Sequence, residues 1–435
     1  MTEYILASLY FLIFLYVFYK SPFFRNIPGI SYSGLVLFFS LKVFSGIALS
    51  LIYKHYYDPE TADIYKYFND GLYLYRILWE NPADFLHILT GVGISQEHVD
   101  MYLSNMPNWF RPWESPLYND NRVVIRFNAI VGLFSFGHLQ VHTVFANAVS
   151  FTGLVALYKF FLNYLPREKI SFLKWGLFLF PSLLFWSSGV LKEAILTGCF
   201  GMAIYLADIF FVNKKVGIYK TALFLICLWI MVLLKPYILI LFLPCIAGFY
   251  ISRNMSFLRT HLIYILLFAG LFVIALLMHF IIPDYSPIFL IARKQNDLIN
   301  WSLSVDAGSL IHTNYLNPEI WDIIRKAPHG FITALLRPHI FEADTGFMLF
   351  AAMENLLIVS LIIIAIIMPT KSIKQTPLTG LCFWFCLAGF TFVGLTTPVA
   401  GAIVRYKIIM LPFLWALLLN LISVDLRNLN VFRKS

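Results

Sequence analysis

Eleven apolar runs leave this chain few ways to fold. They lie near 4–19, 34–53, 142–163, 175–190, 194–212, 218–234, 236–251, 261–281, 346–368, 377–396 and 401–423. A helix of about 20 apolar residues crosses the hydrocarbon core of a bilayer. Hydrophobic residues make up 60% of the chain, charged residues only 13%, and mean hydropathy is +0.77, values that no soluble core of this size requires. The expected fold is an all-α polytopic membrane protein with about eleven transmembrane helices, one integral domain over 1–435. Several runs are shorter than a bilayer demands, which predicts tilted, broken or re-entrant helices. The stretch 123–141 carries Arg126, His138 and Gln140 and is too polar for a lipid-facing span.

Short loops rich in Lys and Arg stay on the cytoplasmic side. The segments 20–33, 164–174, 213–220, 252–260 and 369–376, with the tail from Asp425, hold fifteen Lys/Arg against two acids. Alternation then places 54–122 and 283–345 outside, as two loop excursions containing short helices. The net charge of +9 follows from this topology, so no nucleic-acid partner is implied, and the basic end Arg427 to Lys434 reads as an orientation signal beside anionic lipid headgroups. A multi-pass protein of a bacterial inner membrane is expected. The first apolar run follows Met1-Thr2-Glu3 with no basic region, so a retained first helix is expected rather than a cleaved signal. All five cysteines lie in apolar runs and read as small core residues. Repeats and low-complexity segments are not evident.

On this topology the polar motifs converge on the outer face. Phe185-Trp186-Ser187-Ser188-Gly189-Val190-Leu191-Lys192-Glu193 sets a cation and a carboxylate at the seam between two apolar runs, where a charge must pair, face water or snorkel. Lys235-Pro236 ends the next hairpin, and Arg405 follows the turn Thr396-Thr397-Pro398. The first excursion opens Asp58-Pro59-Glu60-Thr61-Ala62-Asp63-Ile64-Tyr65-Lys66-Tyr67-Phe68. The second contains Ala327-Pro328-His329-Gly330 and Leu336-Arg337-Pro338-His339-Ile340-Phe341-Glu342. Carboxylates and cations at one membrane surface suit glycosyl transfer from a polyprenyl phosphate. A carboxylate removes the acceptor hydroxyl's proton, and cations stabilise charge on the departing phosphate.

Three segments resemble the GT-C membrane glycosyltransferases, the class of protein mannosyltransferases and lipid-A aminoarabinose transferases. Asp63-Ile64-Tyr65-Lys66-Tyr67-Phe68 looks like the family's catalytic carboxylate segment. Pro181-Ser182-Leu183-Leu184-Phe185-Trp186-Ser187-Ser188-Gly189 with Lys192-Glu193 is similar to a family helix break. Val404-Arg405-Tyr406-Lys407-Ile408-Ile409-Met410-Leu411-Pro412 resembles its late Arg-Tyr and Pro segment. The resemblance implies a polyprenyl-linked sugar donor and a glycan, lipid or protein acceptor. The acidic segment follows the second apolar run here rather than the first, and no large soluble domain follows the last, which leaves room for the alternative of an oligosaccharide repeat-unit polymerase, a class that shares the polytopic, outer-loop, Arg-rich plan.

Asp63 is the base candidate, with helix capping as its alternative. Glu193 would orient Lys192 or serve as a second acid. Lys192 and Arg405 are phosphate candidates, with snorkelling as the alternative, and Arg126, Arg337, Lys235 and Tyr65 complete the substrate-binding set. His138 and His142, at i and i+4, share a helical face that could grip zinc, but no third ligand accompanies them, so polar packing is expected. No cofactor is indicated, with a divalent cation left open. Trp109, Trp113, Trp301 and Trp321 read as interface anchors, with sugar stacking as the alternative. A transporter or flippase of a lipid-linked glycan would also need buried cations and broken helices, and an assembly subunit is the third class.

Overall fold

The computed structural model describes residues 2–56, 62–110, 119–212, 217–305, 308–370 and 377–423. The segment Asp58 to Thr61, Trp113, Lys214 and the tail Arg427 to Lys434 lie outside them. Among the described residues the chain is all-helical, with nineteen α-helices and no strand beyond isolated bridges. It divides into two compact units, Met1–Phe160 with Leu184–Leu239, and Phe161–Leu183 with Ile240–Ser435.

In chain order the helices begin with α1 (Thr2–Lys20), α2 (Tyr32–His55), α3 (Asp63–Glu80), α4 (Pro82–Thr90), α5 (Gln96–Met101), α6 (Asn121–Ser135) and α7 (Leu139–Leu162). There follow α8 (Ile170–Phe178), α9 (Pro181–Trp186), α10 (Lys192–Val212), α11 (Ile218–Leu234) and α12 (Pro236–Ile251). The remainder are α13 (Phe257–Ile281), α14 (Pro287–Ser304), α15 (Ile320–Leu336), α16 (Gly346–Ile367), α17 (Pro377–Thr396), α18 (Ala400–Tyr406) and α19 (Leu411–Leu421).

Seven helices are long and apolar enough to cross a membrane: α1, α2, α7, α10, α13 from Arg259, α16 and α17. The α18–α19 pair, bent by 66°, makes an eighth if it is one span, while α11 and α12 are apolar but shorter. The protein is therefore a multi-pass membrane protein. The expected span at 175–190 is cut instead into α8 and α9. Pro181 cannot continue the preceding helix, and it disfavours helical backbone at Phe180.

Unit 1 is held by close helix approaches. A Cβ on Gly201 would lie 2.0 Å from the Gly153 carbonyl oxygen, and one on Gly153 would lie 2.4 Å from that of Thr197, so α7 and α10 meet backbone to backbone. The amphipathic helix α3 lays Ile64, Tyr67, Phe68, Leu74 and Ile77 inward. Gly71 lets it approach α6, since a Cβ there would stand 2.4 Å from that of Asn128. Helix α4 starts where the Asn81 side chain accepts from the amides of Ala83 and Asp84, with Pro82 in its first turn, and stops at Gly91 with φ of 80°.

Unit 2 uses the same device between α15 and α17, where a Cβ on Gly394 would fall 1.8 Å from the Gly330 carbonyl oxygen. Lys169 donates to the carbonyls of Leu419 and Ile422, the latter at 2.7 Å, and so satisfies acceptors at the end of α19. Burial lowers its pKa from the ordinary lysine value, against the pull of Glu168.

Candidate functional site

The break between α9 and α10 shapes the site in unit 1. It frees backbone carbonyls that water cannot reach, and these must be met inside the protein. Lys42, buried in the middle of α2, donates to the Ser187 carbonyl at 2.8 Å, to Ser187 Oγ at 2.7 Å and to Ser188 Oγ at 3.2 Å. The Asn147 amide donates to the Ser188 carbonyl at 2.7 Å. A Cβ at Gly46 would sit 2.2 Å from that same oxygen, so α2 approaches the break only because residue 46 has no side chain. With the break fixed, α10 starts at Lys192.

Successive helical residues diverge by about 100°, so Lys192 and Glu193 reach different partners. Lys192 Nζ lies 2.8 Å from Asp120 Oδ1 and 5.3 Å from the centre of the Tyr67 ring. Lys235, just past the end of α11, donates to Glu193 Oε1 at 2.9 Å. Lys192 and Glu193, expected to act together or with Glu193 as a second acid, thus each stand in an ion pair with another residue. The break before α10, the residue before α6 and the end of the α10–α11 hairpin bring four charges, Asp120, Lys192, Glu193 and Lys235, together in unit 1.

Helix α3 begins at Asp63, with Ala62 in the capping position, so Asp63 occupies the first turn, where a negative charge is favoured. Asp63, Tyr67 and Asp70 recur at i, i+4 and i+7 and share one face. Asp63 is therefore one turn, about 6 Å, from the residue whose ring carries the Lys192 ammonium. Tyr65 donates to the Ser50 carbonyl at 3.2 Å and ties α3 to α2, and burial, then the negative charge of Glu3, raises its pKa. Asp70 accepts the Asn108 N–H at 3.0 Å, and burial pushes its carboxyl up to about 6 despite that bond.

Arg126 is engaged with the protein itself. It donates to the Ile88 carbonyl at 3.2 Å, lies 5.1 Å from the Trp109 ring, and is pushed down to about 10 by burial and then by Arg122. Arg122 lies 5.4 Å from the same indole, and Trp109 is buried while Trp301 and Trp321 are exposed. His142 has partners on both nitrogens, Asn128 Oδ1 at 2.8 Å and Ser135 Oγ at 2.7 Å.

Arg337 and Arg405 belong to unit 2. Arg337 pairs with Glu342, whose carboxyl is held below the usual range: burial works the other way, but the Arg337 guanidinium and the His339 N–H outweigh it. Arg405 is half-buried on α18, beside Tyr406, whose ring lies 5.6 Å from Lys294 Nζ.

Unit 2 also holds a polar cluster that the sequence reading overlooked. On α16, Glu354 Oε2 accepts the Ser182 N–H at 2.6 Å, while the neighbouring Asn355 donates to the Pro338 carbonyl at 2.8 Å and accepts from Lys407 Nζ. Glu354, Asn355 and Lys407 are all buried. The overlooked signal was a single charge inside an apolar run, true of Lys42 and Glu354, because such a charge is costly unless it serves something, while Lys407 stood two residues from Arg405 in one run. Asp120 and Asp70 carried no such signal, since both lie in polar sequence. Comparison with protein-family models, curated proteins and solved structures finds no match for this chain.

Proposed function

We propose that the protein is a GT-C-like membrane glycosyltransferase. It would move a sugar or oligosaccharide from a polyprenyl-phosphate carrier to a glycan, lipid or protein acceptor at the non-cytoplasmic face. The observation that carries this reading is the face of α3 in unit 1, where Asp63 stands one turn from the Tyr67 ring that carries the Lys192 ammonium. In the reaction Asp63 takes the proton of the acceptor hydroxyl as its oxygen bonds to the anomeric carbon. The bond from that carbon to the phosphate oxygen breaks, and the phosphate leaves with the electron pair. Lys192 stabilises that charge, the phosphate displacing Asp120 from the ammonium, while the Glu193–Lys235 pair fixes the start of α10. Arg405, which belongs to unit 2, keeps its own reading as a phosphate candidate. Seven helices, or eight with the bent α18–α19 pair, are long and apolar enough to span, and this reading counts α11, α12 and the α8–α9 run beside them.

Donor binding and glycan product, measured separately in purified, lipid-reconstituted protein, test it. Asp63→Asn keeps the shape and should lose product by about 100-fold or more while still binding donor. Arg405→Ala should weaken both, and Asp120→Asn should tighten donor binding by removing a competitor for Lys192. Full product formation by the Asp63→Asn protein removes Asp63 from the mechanism. Cysteines placed near Asn105 and Asn314 should react with an impermeant thiol reagent from outside, and one near Lys214 should not. The reverse pattern moves the site to the cytoplasm.

The breaks at Pro181 and between α18 and α19 favour a second reading, a transporter of lipid-linked glycan. Translocation of an unmodified lipid-linked sugar, with no new glycosidic bond, would select it.

A further inference from the structure

Two apolar helical runs of unit 2 are interrupted, and buried polar groups gather at both interruptions. The α8–α9 break presents the Ser182 N–H, and the turn Lys407–Ile409 between α18 and α19 presents a buried ammonium. Between them in sequence, α16 places Glu354 and Asn355 near the middle of a span of 22 residues. Glu354 is only 3% exposed, and its Oε1 accepts no hydrogen bond from the described residues. The Lys407 ammonium bonds to the side-chain oxygen of Asn355, the residue next to Glu354 on α16, and not to the carboxylate itself.

Unit 1 supplies an internal reference. There a buried glutamate, with an oxygen in the same position as Glu354 Oε1, meets a lysine directly at 2.9 Å, so the ion pair and not full hydrogen bonding of the carboxylate neutralises the charge. Glu354 lacks that contact. An ionised carboxylate with one oxygen buried and undonated is expensive, and a proton is the smallest ligand that neutralises it. Intramembrane acids of this kind mark proton relays and ion pathways. We propose that Glu354 is a proton-binding site within a membrane-spanning segment of unit 2, with Lys407 as its counter-charge.

The surroundings are consistent with a single controlling charge. Ser182 and Asn355 are neutral. Arg337, adjacent in sequence to the Pro338 that Asn355 holds, is paired with Glu342, which His339 also meets at 3.1 Å. The inference rests on residues of unit 2 and is independent of the transferase assignment.

The test uses the full-length protein in lipid nanodiscs and the apolar reagent dicyclohexylcarbodiimide, which adds to a protonated carboxyl. The carboxyl proton passes to a carbodiimide nitrogen, no group leaves, and the adduct rearranges to a stable N-acylurea. Peptide mass spectrometry then reads the extent of modification at Glu354 and Glu193 from about pH 5 to about pH 9. Glu354 should be modified, with the rate falling about tenfold per pH unit above its midpoint, and Glu193 should not. In Lys407→Met the profile should move to higher pH, because the cation that favours the ionised form is gone. Absence of a Glu354 adduct at every pH, from protein whose Glu354 peptide is detected after denaturation, overturns the proposal. A Lys407→Met profile that superimposes on the natural one removes Lys407 as counter-charge. The natural protein alone decides the first point, whether or not the variant folds.

Discussion

Glu193 and Glu354 are both buried in membrane-spanning helices, but they are neutralised differently. Glu193 meets Lys235 at 2.9 Å across the open end of the α10–α11 hairpin. Glu354 takes a backbone N–H on one oxygen, and its neighbour Asn355 receives the lysine. The first arrangement fixes two helix ends and leaves no charge to trade. The second keeps acid and base within electrostatic reach without joining them, the condition under which protonation can change. A direct pair thus suits a scaffold beside a site, and an indirect one suits a site.

The largest break in this comparison comes from unit 1. Glu193→Gln or Lys235→Met alone leaves a buried charge and should cost about 3–5 kcal/mol, whereas the double variant should recover most of it. Thermal unfolding in detergent measures all three, and additive losses in the double variant would show that the pair does not act as a unit. Next is Asn355→Leu, which strips an acceptor from Lys407 and a donor from the Pro338 carbonyl. A loss of about 2–4 kcal/mol is expected from the two orphaned groups.

Asp70 sharpens the comparison as a third buried acid, met by a backbone N–H and lying outside the spans. Unfolded, it ionises near its ordinary value of 3.8, and folded, it keeps its proton to about 6. Between these values the folded state binds more protons, so stability falls as pH rises through this window and is level above it. Asp70→Asn should remove that fall, on the order of 2 kcal/mol between about pH 3 and about pH 7, as read by denaturation at each pH. The smallest effect belongs to the exposed pair Arg293–Asp297, 3.5 Å apart. Asp297→Ala should change stability by no more than about 0.5 kcal/mol, since water and salt screen it.

The reading from residues alone reached the membrane class because apolar run length is a direct consequence of bilayer thickness. It also found Lys192, Glu193 and Lys235 at one hairpin end, since alternation of spans dictates that ends 192 and 235 share a side. It did not find who pairs with whom. Asp120 lies 72 residues before Lys192, and only the packing of α6 in unit 1 brings them together. Nor did run length anticipate the cut at Pro181, where a local backbone rule overrides hydropathy. Lys42 was visible as a charge within a run, but its acceptors, the carbonyl and hydroxyls of a helix break, exist only once the chain has folded.

The glycine contact between α7 and α10 has a consequence for the lipid around the protein. At Gly153 and Gly201 one backbone rests on the other, so sliding α10 by a single residue, about 1.5 Å, would drive a side chain into a carbonyl. Unit 1 therefore cannot adapt to a thinner or thicker bilayer by shifting α10 along its axis. Helix α1, whose apolar stretch is only 11% buried, meets the lipid, while Phe11 and Phe14 on its inner side pack on Phe39 of α2 and Phe145 of α7. A change of membrane thickness therefore meets α7 and α10 as one element, with Lys192 held at a fixed height on that pair.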